Sequence, residues 1–346
     1  MDKRYYYLII FLLLLGVFFI YITLSNNKES VKENENPDLM IDFQLQNKKE
    51  RIINRSNIKL EKFINLEKLK IFRPASVKTD FQGNIYVLDI SSPKIAVFSR
   101  DGSLISEIGK GKGQGPGELI NPTDFSFDDN NNLWVVDPGQ NRIVIFDIKN
   151  NILNHIKMIK PGYRIAVINN YKYIIIPFNN NELFAVYDND IEINSFGNII
   201  MQQEKFSILL SGLLSKDRTN NLYFTTDRSS LLLSYNHKGD LRFAVKTIED
   251  LEPLPKLKEF NNQVMRLPDT FTSLSLSIKE DRIYILNRYD LGKQKSSYID
   301  IYNNKNGQYI FTLMIPAKIY SCDIKSNNIY AINDTALLIY NIQDSF

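Results

Sequence analysis

Acidic and amide side chains that follow apolar segments are the residues of this sequence best suited to chemistry. Asp89 and Asp137 each end such a segment, Asn287 and Asn333 hold the same place in later ones, and Asp227 is displaced by one position. Calcium takes six to eight oxygen ligands, so the five together are candidate ligands of a calcium ion. A carboxylate in this position also accepts backbone N–H groups of its own loop, which is the structural alternative.

Three arginines occur just after the same kind of segment, namely Arg142, Arg228 and Arg288. Guanidinium groups bind carboxylates and phosphates with paired hydrogen bonds. The three therefore predict a positively charged binding site for an acidic ligand, and surface arginines in contact with water are the alternative.

Other kinds of site find little support in the residue types. The two histidines, His155 and His237, fall in different repeats, which disfavours a histidine metal site or a catalytic triad. No GxSxG pattern is present, and the single cysteine, Cys322, is expected to be a buried small residue. The glycine-rich stretch 109–115 lacks the GxxxxGK[ST] spacing of a phosphate loop. We therefore predict no catalytic residue, and no cofactor except the calcium ion of the alternative interpretation given above.

An internal repeat must position these residues. The stretch GNIYVLDISSPKIAVFSRDG at 83–102 recurs as NNLWVVDPGQNRIVIFD at 131–147, so that Asn84 aligns with Asn132 and Tyr86 with Trp134. Each copy has two β-branched and aromatic runs separated by a polar loop, which favours strands over helices. The repeat unit is predicted to be a four-stranded antiparallel sheet, the blade of a propeller.

Six versions of the unit can be followed along the chain through a pair of aromatic residues. The second strand carries Tyr86, Trp134, Tyr173, Tyr223, Tyr284 or Tyr330, and the third carries Phe98, Phe146, Tyr187, Tyr235, Tyr302 or Tyr340. Large aromatic side chains dominate core burial, so we expect these rings to fill the space between neighbouring sheets. The sequence thus predicts an all-β, six-bladed propeller.

The first two units resemble NHL repeats, and the linker GKGKGQGPGEL at 109–119 is similar to one in bacterial NHL-like propellers. This resemblance implies six blades. Lactonase-like six-bladed propellers hold a metal ion in their central channel. This likeness implies the alternative function, a calcium-dependent hydrolase whose metal ion is bound by the five oxygen-bearing side chains named above.

The beginning of the chain predicts a membrane anchor. Residues 5–24 are uncharged and apolar and follow Lys3 and Arg4. A helix of about 20 residues spans the roughly 30 Å hydrocarbon core, whereas the apolar part of a cleaved signal peptide, the alternative, is shorter. We predict an anchor at 1–24, a flexible polar tether at 25–40 and, because positive residues favour the cytoplasm, an extracytoplasmic propeller on a single-pass membrane protein.

The propeller is predicted to occupy 41–346. Its blades are expected near 74–109, 122–160, 161–197, 209–248, 272–315 and 317–346. The last blade ends after its third strand and would leave an open sheet edge. A strand within 56–72 is therefore expected to close the ring.

The longest loops are expected on one face, where strands two and three and successive blades connect. Loops carry function more often than the strands that hold them, so this face is the predicted binding surface. Within the longest loop, 256–267 has the apolar spacing of a short helix. The net charge of +3 gives no reason to expect nucleic acid. The leading hypothesis is a non-catalytic binding or scaffold module for a protein, peptide or glycan.

Overall fold

A computed structural model describes residues 39–54, 58–170, 172–178, 182–200, 210–249, 251–252, 254, 256–260, 263–267, 271–287 and 296–343. The predicted anchor at 1–24 and most of the predicted tether lie outside these residues. The helices of the described ranges are two 3₁₀ turns, Glu67–Leu69 and Pro138–Gln140, and none is long and apolar enough to cross a membrane.

Strands make up the rest of the regular structure. The chain begins with β1 (Ile53–Asn54) and β2 (Ile58–Asn65). Blade one contains β3 (Pro74–Thr79), β4 (Ile85–Asp89), β5 (Lys94–Phe98) and β6 (Leu104–Ile108). Blade two contains β7 (Asp124–Phe127), β8 (Leu133–Asp137), β9 (Arg142–Phe146) and β10 (Ile152–Lys157). Blade three contains β11 (Gly162–Val167), β12 (Lys172–Pro177), β13 (Phe184–Asp188) and β14 (Ile191–Phe196).

The second half of the chain continues the series. Blade four contains β15 (Gly212–Lys216), β16 (Leu222–Thr226), β17 (Leu231–Tyr235) and β18 (Leu241–Lys246). The next pair is β19 (Lys256–Phe260) and β20 (Gln263–Leu267). Blade five contains β21 (Ser273–Lys279), β22 (Arg282–Asn287), β23 (Ser297–Asn303) and β24 (Tyr309–Ile315). Blade six contains β25 (Ser321–Lys325), β26 (Asn328–Ile332) and β27 (Ala336–Ile342).

Each blade is an antiparallel sheet whose strands are neighbours in the order of the chain. The first strands of neighbouring blades contact one another around a common centre. The fourth position of blade six is filled by β2, which pairs with β27 from Ile58 opposite Ile342 to Asn65 opposite Ala336. The prediction of an all-β, six-bladed propeller with four-stranded antiparallel blades is confirmed.

The core lies between the blades. Six clusters of buried side chains occupy the six interfaces between neighbouring blades. The twelve aromatic residues that mark the repeat have at most 6% of their surface exposed. At the interface of blades two and three, for example, the rings of Trp134 and Tyr173 are 5.5 Å apart. These rings supply much of the apolar surface that holds the sheets together.

Residues 39–54, which we call the belt, run along the outer edges of blades three to five. The N–H of Met40 donates to the carbonyl of Ile199, just after blade three, at 2.9 Å. Gln44 exchanges two backbone hydrogen bonds of 2.9 Å with the outer strand of blade four. The strand β1 then pairs in parallel with β24, so that blade five has five strands. The belt therefore covers sheet edges that would otherwise be open.

The segment 256–267 is a β-hairpin, and the short helix expected there is wrong. The strand β19 pairs with β20 from Lys256 opposite Leu267 to Phe260 opposite Gln263. Two asparagines, which favour turns, separate the strands in the sequence, and twelve residues are too few for a stable isolated helix.

Candidate functional site

The innermost strands of all six blades line one central cavity of about 990 Å³. They are β3, β7, β11, β15, β21 and β25. Loop residues such as Asn121 and Phe178 lie at one end, and turns between first and second strands, such as 217–221, lie at the other. The volume is at the upper end of the range for pockets that bind small molecules.

Backbone N–H groups on the inner edge of these strands donate hydrogen bonds to side chains of the neighbouring blade. A backbone N–H on one strand donates to a serine hydroxyl or an aspartate on the next blade. The pairs are Val77 to Ser321 at 3.2 Å, Thr79 to Asp323 at 2.7 Å, Ile165 to Asp124 at 3.1 Å, Val167 to Ser126 at 3.3 Å and Cys322 to Ser275 at 3.2 Å. Buried amides need hydrogen-bond acceptors. These five hydrogen bonds supply them and at the same time join neighbouring blades around the cavity.

Two charged groups in the cavity are already engaged between blades. The amine of Lys78 is 2.6 Å from Oδ1 of Asp124. The guanidinium of Arg164 donates to the carbonyls of Thr123 and Gly212, each at 3.1 Å, and so joins blades two, three and four. These side chains stabilise the channel wall.

Two ionisable groups of blade six also line the cavity, half-buried Asp323 and buried Cys322. Burial raises the pKa of Asp323, although hydrogen bonds from Thr79 act in the opposite direction. Burial also raises the pKa of the Cys322 thiol to about 12, against a hydrogen bond from Ser275. The thiol is therefore protonated at neutral pH and unsuited to nucleophilic attack.

Asp89 and Asp137 hold the segments that enter their own blades. Asp89 accepts the N–H groups of Phe72 and Arg73 at 3.3 and 3.1 Å. Asp137 accepts those of Ile120 and Asn121 at 3.0 and 2.8 Å. Both carboxylates are completely buried and lie outside the cavity lining. Both carboxylates thus accept backbone N–H groups, as in the structural alternative, but these four groups belong to the segment that precedes the blade and not to the loop of the aspartate itself.

The other three residues of the predicted calcium set are also held by local hydrogen bonds. Asp227 accepts the hydroxyl of Ser211 at 2.6 Å, and the side-chain amide of Asn287 donates to Asp300. Oδ1 of Asn333 accepts two N–H groups of the following turn, at 2.8 and 3.0 Å. Among the described residues, no three His, Cys, Asp or Glu side chains are grouped as metal ligands. Asp89, Asp137 and Asp227 are therefore not brought together as a group of metal ligands, and the calcium site stays a prediction.

The structure describes two of the three predicted binding arginines. Arg142 donates to the carbonyls of Glu118 and Gly115 at 2.9 and 3.4 Å, and so fastens the glycine-rich loop to blade two. Arg228 lies 4.2 Å from the ring centre of Phe271, in cation–π geometry. Neither lines the central cavity, and Arg288 lies outside the described residues.

The two histidines are exposed and lie outside the cavity lining. His155 is on β10, the outer strand of blade two, and His237 is in the turn that precedes β18. Neither belongs to the cavity lining, so the residues that line the cavity include no histidine.

A repeated aspartate in the turn between the first and second strands was missed by the sequence analysis. In blade two, Oδ1 of Asp128 accepts the N–H groups of Asn130 and Asn132, both at 2.9 Å. Its Oδ2 accepts the indole N–H of Trp134 at 3.0 Å. The aspartate therefore fixes the turn and satisfies the polar group of a buried ring.

Blades one and four repeat this arrangement. The hydroxyl of Tyr86 donates to Asp80 at 3.2 Å, and that of Tyr223 donates to Asp217 at 2.9 Å. Burial, together with the charge of Asp217, raises the pKa of Tyr223 to about 12. The signal was present in the sequence, because each aspartate precedes its aromatic residue by six positions.

The family and the solved structures agree with this fold. Residues 28–245 match the DUF5128 family, described as a 6-bladed beta-propeller. No curated protein matches the chain. The resemblance of blades one and two to NHL repeats stays a prediction.

Three solved structures illustrate the likeness. A candidate exported protein from Bacteroides fragilis has a TM-score of 0.57 and 14% identity, covering 84% of this chain and 99% of its own. A DUF4221 family member from Bacteroides vulgatus has a TM-score of 0.57 and 12% identity, covering 83% and 98%. A catalytically inactive virginiamycin B lyase from Staphylococcus aureus, with quinupristin, has a TM-score of 0.55 and 12% identity, covering 82% and 99%. Sequence identities this low show only that the fold is shared. The match to the family, in contrast, spans more than half of the chain. The protein therefore belongs to the DUF5128 family of six-bladed beta-propellers.

Proposed function

We propose that the protein is a membrane-tethered, extracytoplasmic propeller that acts as a non-catalytic binding module for a protein, peptide or glycan. The observation that carries this proposal is the central cavity of about 990 Å³, open to a ligand and lined by all six blades. A protruding segment of a larger partner or a small oligomer fits such a volume.

The chemistry of the cavity wall favours binding over catalysis. Lys78 is paired with Asp124, Asp323 accepts two hydrogen bonds from Thr79, and Cys322 is a protonated, buried thiol. A general acid or base must reach the substrate with its proton-carrying atom. The groups best placed for such a role hold neighbouring blades together instead.

The location rests on two observations. Residues 5–24 have the length and apolar character of a membrane helix. The candidate exported protein from Bacteroides fragilis has the same fold over nearly all of its length. Both favour a propeller held at the outer surface of the cytoplasmic membrane.

Filling the cavity tests the proposal. Ser76 and Ser215 line it and are half-buried, so Ser76→Trp combined with Ser215→Trp would occupy it with two indole rings. Leu153→Trp on the exposed rim of blade two is the matched control. The full-length protein in detergent is applied to peptide and glycan arrays, and bound ligand is recovered for mass spectrometry.

We expect the wild type and the rim variant to retain the same ligand, and the filled variant to lose it without a lower unfolding temperature. The ligand should be recovered intact. Retention by the filled variant, or recovery of a cleaved ligand, would contradict the proposal.

A further inference from the structure

Three successive blades end their innermost strand with a lysine. Lys216 ends β15, Lys279 ends β21 and Lys325 ends β25, whereas β3 and β7 of blades one and two end with Thr79 and Phe127. All three lysines line the cavity beside the turns between first and second strands. We call this half-ring the lysine mouth.

The three amines of the lysine mouth form no ion pair with a described carboxylate. Lys216 donates to the side-chain oxygen of Asn220 at 2.8 Å, and Lys279 donates to the backbone carbonyl of Ser326. The amine of Lys325 is 5.9 Å from the ring centre of Phe81. Among the described residues, no Asp or Glu is within salt-bridge distance of these amines.

The whole cavity has an excess of positive charge. Its lining contains eight Lys or Arg side chains and four Asp or Glu side chains. Burial lowers the pKa of Lys216, while Asp129 and Asp217 act in the opposite direction. An amine that has lost part of its hydration gains from an oxyanion that replaces the lost water.

A buried hydroxyl without a partner lies next to the lysine mouth. Ser277 is two residues before Lys279 on β21, so the two side chains point to the same side of the strand. Ser277 lines the cavity and is only 6% exposed, and its Oγ has no hydrogen-bond partner among the described residues. An unsatisfied buried hydroxyl costs about 1–3 kcal/mol, and a ligand oxygen would remove that cost.

We propose that the lysine mouth binds a ligand bearing two or more oxyanion groups, carboxylates or phosphates, with Ser277 as an additional donor. This inference rests on the proposed binding function and adds the chemical class of the ligand. Three amines from three adjacent strands suit a multivalent anion better than a single charge.

Isothermal titration calorimetry of the full-length protein in detergent, at low salt, tests the inference with citrate and with pyrophosphate. The test variant combines Lys216→Gln, Lys279→Gln and Lys325→Gln. The control combines Lys59→Gln, Lys68→Gln and Lys157→Gln, which are exposed lysines outside the cavity. Both variants lose the same charge, so a difference between them reports position and not net charge.

We expect the test variant to bind the preferred anion at least about tenfold more weakly than the control, as the loss of charge-assisted hydrogen bonds requires. Ser277→Ala should weaken binding about threefold without lowering the unfolding temperature, because it removes an unsatisfied hydroxyl. The anion that binds with the higher affinity, citrate or pyrophosphate, shows whether the site prefers carboxylates or phosphates.

Equal affinity in the two triple variants, or no binding of either anion to the wild type, would overturn the inference. The proposed function would still hold if the wild type bound a neutral peptide or glycan in the cavity and the variant with Ser76→Trp and Ser215→Trp did not. A lower unfolding temperature for Ser277→Ala would assign that hydroxyl to the structure of the wall and contradict its role as a donor.

Discussion

Replacement of Arg51 by methionine tests how the belt is held to the propeller. The guanidinium lies against Asp300 on β23, with Nε 3.1 Å from Oδ1 and Nη2 3.0 Å from Oδ2. Nη2 is also 2.6 Å from Oε1 of Glu249. The side chains of Arg51 and Glu249 are 12% and 15% exposed, and that of Asp300 is completely buried.

The expected cost follows from what the substitution leaves behind. Methionine keeps the apolar stem but removes the cation, so that Asp300 becomes a buried carboxylate with no charged partner. Removing one member of a buried pair costs about 3–5 kcal/mol. Asp300 retains hydrogen bonds from Thr312 and Asn287, which places the expected loss near the lower limit. About 3 kcal/mol corresponds to a melting temperature roughly 5 °C lower in a domain of about 300 residues, at about 2.1 cal/mol/K of unfolding entropy per residue.

Urea unfolding measures the loss, and the single tryptophan, buried Trp134 in blade two, reports it by fluorescence. Arg51→Met should also speed proteolysis within the belt, because that segment loses its charged anchor. The same substitution in an Asp300→Asn background should cost at least about 1 kcal/mol less, since the completely buried residue 300 then carries no charge that loses its partner. A loss below about 1 kcal/mol, or the same loss in both backgrounds, would refute the proposed anchoring.

Three further predictions address the turns, the calcium alternative and pH. Asp128→Ala should lower the unfolding free energy by about 3 kcal/mol, because the indole N–H and two backbone amides lose their acceptor. Asp147→Ala removes similar turn hydrogen bonds but no bond to a buried ring, so urea unfolding should show a clearly smaller loss. Asp137→Ala should lower the melting temperature with or without calcium, whereas a calcium-dependent rise in the wild type that this variant abolishes would favour the hydrolase. Burial raises the pKa of Asp323 in the folded state, so the folded protein binds this proton more tightly and loses stability as pH rises from the ordinary value of 3.8 through the raised one. Asp323→Asn has no carboxyl to titrate, so its unfolding free energy relative to wild type should rise over that pH interval, as measured by urea unfolding at several pH values. A difference that does not change with pH would show that the Asp323 carboxyl is not the cause.

The repeat in the sequence was enough to predict the fold because five of the six blades use the same packing rule. In these blades the aromatic residue of the second strand packs against the next blade and that of the third strand against the preceding blade, as Tyr86 and Phe98 do. In blade three, Tyr173 and Tyr187 both pack against blade two. The belt could not be predicted in this way. Arg51 and Asp300 are 249 positions apart and form a single pair that no repeat reproduces.

The candidate site was harder to predict for a different reason. Strand register gives the position of Asp89 and Asp137 along the blade, but not the direction in which the carboxylates turn. Both turn back to the backbone of the segment that enters the blade. The lysines that do line the cavity look in the sequence like ordinary solvent-exposed residues at strand ends. Their common position emerges only when the innermost strands of blades four, five and six are placed side by side.

The two parts of the chain that precede blade one act differently on the ring. The strand β2 pairs with β27 at seven positions and fills a place in blade six that no other described segment occupies. The belt adds hydrogen bonds and the ion pairs of Arg51 with Glu249 and Asp300 to blades that already have four strands. Loss of β2 should therefore open the ring and the cavity with it, whereas loss of the belt should lower stability and leave six blades around the cavity. Because β2 and β27 lie near opposite ends of the described chain, the cavity cannot close until blade six has formed.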